Sequence, residues 1–271
     1  MIETESLKWI LGIDQTGALA RGRPKPLSFC LFVKKPKTQI FYIPKKVSWG
    51  LGLKALNKSN LEILMRELNL KLDSSGLIVV DAVLGLPKTL GIRQVELRTL
   101  FKTAHDDYGY GKVEGARFFG SLIKDQKTLL RRECETELKA NSVFVTMPAQ
   151  RNIQTGTHRI WKDLGEDTNW FSLWPNERST KKVLIAEGYP SYFWKALFGF
   201  KKREPKEIIN LAKNMKIQNF AELEFHKNDK DGADAAILGI GAIQLLQLKG
   251  AEILKKSATK TEVFEGVIFG V

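Results

Sequence analysis

The sequence predicts an α/β fold in which a mixed sheet is flanked by helices, and three observations lead there. Residues 9–13, 77–80 and 183–186, reading WILGI, LIVV and VLIA, are short and almost unbroken apolar runs, the pattern of strands covered on both faces. Residues 27–33 and 38–44 are also strand-like and follow the first run across short links, which implies an antiparallel meander. Between that meander and the later runs lie stretches with apolar residues at helical spacing, so the later strands are reached by crossovers and run parallel to the first.

Taken in order, the first run stops at Asp14, followed by Gln15, Thr16 and Gly17, and residues 18–26 form a polar connection containing Pro and Gly. Over residues 60–72, Leu61, Leu64, Met65, Leu68 and Leu72 recur at helical spacing with Asn60 as the expected N-cap. The next strand runs straight into Asp81 and the segment AVLGLP. Residues 93–104 read as a helix, 105–111 (HDDYGYG) as an ordered loop facing the site, and 115–138 as a long helical region with a basic outer face. Signals weaken over 141–177, with a short apolar stretch at 143–145, a helix opening at Thr155 and a segment at 170–174. Neither end of this region has linker composition, so the chain is expected to be a single domain over residues 1–271 with an insertion at about 88–180. The run 183–186 again ends in an acid, Glu187, and then Gly188, Tyr189 and Pro190. Helices are expected over 204–216 and 233–248, the second with Asp231 before it and Asp234 in its first turn, and residues 262–270 suggest a short last strand.

Lys and Arg number 43 against 30 Asp and Glu, a formal net charge of +13. Such a field attracts polyanions, and nucleic acid is the commonest partner of that kind. The two cysteines, Cys30 and Cys134, have neither CxxC spacing nor a nearby His, which argues against a zinc site or a disulfide framework and for a reduced, cytoplasmic setting. The N-terminus shows no basic and apolar signal pattern. The most apolar long segment, 233–248, is shorter than the ~20 residues that span a bilayer and opens on charged residues, so it reads as a buried helix and no membrane partner is expected.

Asp14, Asp81, Glu187, Asp231 and Asp234 are the acids placed at strand ends or at a helix start. Active sites of open α/β sheets lie outside the ends of the central strands. Clustered carboxylates repel one another unless a cation sits among them, and Mg²⁺ or Mn²⁺ prefers oxygen ligands. A two-metal site of this kind activates water and stabilises the leaving oxygen of a phosphodiester. All five acids are therefore candidate metal ligands and catalytic residues. Each has a bland alternative: Asp14 or Asp81 could cap a turn, Glu187 could pair with a lysine, and Asp231 with Asp234 could form a capping box.

These features occur in a recognisable order: a strand ending at Asp14, a strand ending at Asp81 before AVLGLP, residues 155–161, Leu173-Trp174-Pro175-Asn176-Glu177, Ala186-Glu187-Gly188-Tyr189-Pro190, Asp231-Gly232-Ala233-Asp234-Ala235, and EGVIFG at 265–270. Together they resemble the DUF429 family of predicted RNase H-like nucleases over nearly the whole chain. The resemblance implies an RNase H-like fold, a mixed five-stranded sheet flanked by helices, with carboxylates on its first and fourth strands. The DGADA segment is also similar to the acidic helix of RuvC-type Holliday-junction resolvases, where such acids bind Mg²⁺. The family's WPFE-like and TVGSQ-like segments stand here as WPNE at 174–177 and TGTHR at 155–159, which bears on Glu177 and Arg159.

The leading functional expectation is a metal-dependent nuclease that hydrolyses DNA or RNA by in-line attack of metal-activated water. Gly12-Ile13-Asp14-Gln15-Thr16-Gly17 also resembles the first phosphate loop of actin-like ATPases and sugar kinases, but the duplicated domain and Gly-rich adenosine motif of those proteins are not found in 271 residues. A non-catalytic nucleic-acid-binding module is the third reading. His105, His158 and His226 are candidates to position water or protonate a leaving group, although lone histidines are more often structural. The basic clusters at 34–37, 45–46, 181–182 and 200–203 read as solvated faces. Trp161, Tyr192, Trp194 and Phe200 would stack on bases only if exposed, and most aromatics at such spacing belong to a core.

Overall fold

The structure is a computed structural model that describes residues 7–15, 19–20, 23–45, 52–72, 74–123, 130–144, 151–177 and 181–271; Thr16, Gly17, Lys46 and Val145 of the expectations above lie outside this set. The strands in chain order are β1 (Trp9–Asp14), β2 (Leu19–Ala20), β3 (Arg23–Pro24), β4 (Ser28–Lys34), β5 (Phe41–Tyr42), β6 (Gly76–Val80), β7 (Phe171–Leu173) and β8 (Val183–Glu187). The helices are α1 (Lys58–Glu67), α2 (Leu97–Asp107), α3 (Lys112–Ser121), α4 (Glu133–Glu137), α5 (Arg151–Gly165), α6 (Pro190–Tyr192), α7 (Glu207–Asn214), α8 (Lys230–Lys249) and α9 (Glu262–Glu265), with a π-helical turn Phe193–Leu197 after α6.

The fold is α/β, with a mixed six-stranded sheet in the order β5-β4-β1-β6-β8-β7 and a separate two-stranded β2–β3 pair. β1 is antiparallel to β4, and β4 to β5, which is the expected meander. β6 runs parallel to β1, and β8 parallel to β6, which are the expected crossovers. The strand beyond the expected five is β7, contributed by the weakly patterned 170–174 segment and parallel to β8. Three residues buried on both faces carry no period that distinguishes a strand from a short apolar turn.

Other boundaries differ for local reasons. β5 is two residues long because residues 35–40 close a turn, with Lys35 N–H donating to the Ile40 carbonyl (2.9 Å) and the Thr38 hydroxyl to the Lys35 carbonyl (3.2 Å). α1 begins earlier than expected because Asn57, not Asn60, is its cap; the Asn57 side chain accepts from Asn60 N–H at 3.0 Å. The region 115–138 is not one helix: α3 ends at Ser121, and α4 starts anew from Arg132, which shares a capping box with Glu135. The expected last strand is instead α9 followed by Gly266 at φ 61°, and only Ile268 forms a bridge, to Glu187. Val267, Ile268 and Phe269 are apolar because they are buried under the sheet, not because they alternate in a ladder.

Strand periodicity divides the core into two layers. Leu11, Ile13, Ile78, Val80 and Ile185 face one way, against Phe101 of α2, Phe118 and Phe119 of α3 and Trp161 of α5. Ile10, Phe32, Leu77, Val79 and Ala186 face the other, against Ile237, Ile240 and Ile243 of α8 and Ile208 of α7. α8 is apolar nearly all round because the π-helical turn and α7 cover its far side. No described helix is long and apolar enough to cross a membrane. Cys30 and Cys134 are buried and unbridged.

Gly12 sets how close α8 lies to the sheet. A Cβ there would stand 2.0 Å from the Ala235 carbonyl oxygen and 2.8 Å from Gly239 N, so the missing side chain lets the α8 backbone rest directly on β1.

Candidate functional site

That contact carries the acidic residues of α8 to the end of β1. Gly12 faces α8, and Asp14, two residues on, projects to the same side of the sheet. Asp81 continues β6 beside it, its N–H donating to the Ile13 carbonyl at 2.9 Å, close enough that each carboxyl shifts the other's titration. Asp234 lies on the first turns of α8, with Asp231 one turn earlier at the exposed rim. The cap of α8 is Asp229, whose side chain accepts from Asp231 N–H, so a capping role is not what Asp231 and Asp234 serve.

The electrostatics are those of like charges packed together. Burial, and then the charges of Asp81, Asp234 and Asp231, hold the Asp14 carboxyl well above the ordinary carboxylate range. Asp81 is pushed up to about 7, chiefly by burial and by the Asp234 charge, while its bond to Asp14 and the charge of Arg203 pull the other way. Burial also raises Asp234, against the opposing pull of Arg203 and Trp194, and raises Asp231, to which Asp229 adds and Lys25 opposes.

Asp234 is held on both oxygens. The Trp194 indole donates to Oδ1 at 2.7 Å and Arg203 Nη1 to Oδ2 at 2.6 Å, while Arg203 Nη2 reaches the Ser191 hydroxyl. Sequence reading missed both donors, placing Arg203 on a solvated face and Trp194 among candidate base stackers. Trp194 and Trp161 are in fact fully buried, and Tyr192 and Phe200 half-buried. The one sequence signal pointing to Arg203 is topological: its loop follows the segment that leaves the end of β8.

Glu187 lies near enough for its charge to help raise Asp81, but its side chain is turned away from the aspartates. In register with Ile13 and Val80, it projects to the opposite layer, where Arg132 Nη1 and Nη2 donate to it at 2.7 and 2.5 Å and Leu84 N–H at 2.8 Å. Arg132 also donates to Glu135 at 2.9 Å. Burial alone would lower the Arg132 pKa, but Glu187 and Glu135 outweigh it and hold the guanidinium charged. The expected ligand Glu187 is thus half of a buried ion pair that ties α4 and the loop after Asp81 to β8. A single residue of register separates the two roles.

The 155–161 segment braces the loop after Asp81. The Trp161 indole donates to the Val83 carbonyl at 2.7 Å, Val83 N–H donates to the Thr157 hydroxyl at 3.2 Å, and Gly156 leaves room for the Gln15 side chain beyond Asp14. Arg159 donates to the Lys54 carbonyl at 3.2 Å, and Glu177 accepts from Arg98 at 2.6 Å and from Leu173 N–H at 2.9 Å. His105 Nδ1 lies 3.0 Å from the Lys162 carbonyl. His158 is buried between Tyr108 and Phe118, and burial lowers it to about 4, so it is neutral at ordinary pH. His226 sits under the first turn of α8, likewise lowered to about 4 by burial. Of the expected 105–111 loop, residues 105–107 are instead the last turn of α2, and Tyr110 beyond it donates to Asp163 of α5 at 2.7 Å rather than facing the aspartates.

The donors at Asp14, Asp81, Asp234 and Asp231 are all oxygen, which suits a hard divalent cation. Among the described residues, however, no group of three or more His, Cys, Asp or Glu side chains is arranged to hold a metal ion. Burial and neighbouring like charges raise the Asp14 and Asp81 carboxyls, and Arg203 engages Asp234. The chemistry of the donor set fits a cation, and Arg203 offsets part of the negative charge at Asp234. No protein-family model, curated protein or solved structure matches the chain.

Proposed function

We propose that the protein is a metal-dependent nuclease with an RNase H-like fold, acting on DNA or RNA at Asp14, Asp81 and Asp234, with Asp231 at the rim. The observation that carries this reading is the gathering of aspartates from β1, from the end of β6 and from α8 at one end of the central strands. The sheet order supports it: a meander β5-β4-β1 continued by parallel β6 and β8 is the arrangement expected of such a fold, with β7 as an addition. Mg²⁺ or Mn²⁺ bound by these aspartates would activate water and stabilise the leaving oxygen. The chain's own part is to release the protons that the raised Asp14 and Asp81 carboxyls hold and to present carboxylate oxygens. Exposed Lys25, Lys201 and Lys202 lie on the segments beside the aspartates and offer charge to substrate phosphates.

The test is hydrolysis of labelled single strands, duplexes, hybrids and four-way junctions of DNA and RNA with Mg²⁺ or Mn²⁺. Asp14→Asn and Asp81→Asn should each lower the rate by about 100-fold or more, since weakening a metal's support even outside its direct ligands costs 10- to 100-fold. Binding should weaken steeply with salt as phosphates shed counterions. Salt-dependent binding without cleavage of any substrate would replace the nuclease by a non-catalytic nucleic-acid-binding module.

A further inference from the structure

Arg203 places a positive charge at the edge of the acidic cluster. Its guanidinium bonds Asp234 Oδ2 at 2.6 Å and the Ser191 hydroxyl, yet its side chain is 43% exposed. Its charge is felt at Asp81 as well as at Asp234. A guanidinium has donors only and cannot ligate a metal, so a divalent ion that draws on Asp234 competes with Arg203 for the same oxygens. The planar fork that grips a carboxylate also matches a phosphate.

The loop that carries Arg203 is anchored beside the site through Phe200. Phe200 rests edge-on against Trp194, with ring centroids 5.6 Å apart, and its N–H donates to the Trp194 carbonyl at 2.9 Å. Trp194 is itself bonded to Asp234. Lys201 and Lys202, exposed on the same loop, extend the positive surface next to Arg203.

We propose that Arg203 is a substrate-positioning residue, whose guanidinium holds Asp234 in the free protein and passes to a nucleic-acid phosphate when a divalent cation takes that carboxylate. This rests on the nuclease reading of the site. An exposed ion pair with no such role would be worth little and would not couple metal to phosphate.

The experiment uses the full chain as wild type, Arg203→Ala and Arg203→Lys. Mn²⁺ affinity is measured by calorimetry, and binding of a fluorescein-labelled single-stranded oligonucleotide by anisotropy in EDTA and in Ca²⁺, which takes the same oxygen ligands. Removing one partly screened charge should tighten Mn²⁺ binding roughly threefold to tenfold in Arg203→Ala, while Arg203→Lys stays near wild type. In EDTA, Arg203→Ala should bind the oligonucleotide as wild type does, and in Ca²⁺ it should lack most of the wild-type gain. Arg203→Lys, with the charge but not the fork, should recover only part of it. A merely exposed charge would weaken oligonucleotide binding equally in both media, and that result overturns the proposal. Equal Mn²⁺ affinity in wild type and Arg203→Ala also overturns it and leaves the nuclease reading standing, whereas Mn²⁺ binding by none of the three proteins removes both.

Discussion

Replacing Asp81 with Asn isolates the cost of ionising a carboxyl group buried at the end of β6 near Asp234. Asp81 moves from its ordinary 3.8 to about 7 on folding, with burial first and the Asp234 charge second among the causes. Because the folded pKa is raised, the folded protein holds a proton that the unfolded chain has released above about pH 4. The stability of the protonated arrangement is therefore fully present below pH 4 and is lost as pH rises through 7. About three pH units at 1.36 kcal/mol each set an upper bound of about 4 kcal/mol. Asn copies the protonated carboxyl, since its amide can donate to Asp14, and it holds no charge to repel. Urea unfolding in EDTA should then show Asp81→Asn level with wild type at pH 4 and more stable by about 2–4 kcal/mol at pH 8. At pH 8, Mn²⁺ at about 100 times its dissociation constant should raise wild type by roughly 2.7 kcal/mol and Asp81→Asn by much less. A variant that is less stable than wild type in EDTA, by the same margin at pH 5 and pH 8, would show that Asp81 is a structural hydrogen-bond acceptor and that the aspartates do not repel.

The other acids and their neighbours behave differently. Glu187→Ala leaves Arg132 buried with one fewer partner and strands Leu84 N–H, so it should lower stability by about 3 kcal/mol or more, by the same amount in EDTA and in Mn²⁺. A loss confined to the Mn²⁺ measurement would restore Glu187 to the metal ligands. Gly12→Ala drives a methyl to 2.0 Å from the Ala235 carbonyl, backbone against backbone, and should cost about 3 kcal/mol, the upper end for overpacking. Because relief requires α8 to move off β1, any folded Gly12→Ala protein should also lose Mn²⁺ response, read by thermal melts with and without the ion. An undiminished response would mean that Asp234 is not needed by the cation.

Much of the frame was legible in the amino-acid order. Apolar runs that end abruptly in Asp14, Asp81 and Glu187 announced β1, β6 and β8, since strands buried on both faces read as continuous hydrophobic segments. The 3.6-residue spacing announced α1, and the long apolar stretch announced α8 as a buried element. The pieces that escaped were short, such as β7, or apolar without alternation, such as residues 267–269, because periodicity needs several turns or pairs to show itself.

The site divides along the same line. Sequence alone determined which acids stand at the end of a buried strand or at the start of a buried helix, and this nominated Asp14, Asp81, Glu187, Asp231 and Asp234. Only the tertiary structure decided that Glu187 faces the other layer, because side-chain direction in a strand reverses with every residue and the register of β8 on β6 is a property of the assembled sheet. It alone decided that Arg132 pairs with Glu187 across 55 residues and that Arg203 meets Asp234 across 31. Charge partners so far apart leave no periodic trace in the chain, because what joins them is the packing of α4 and of the 198–206 loop against strands whose ends those segments happen to reach.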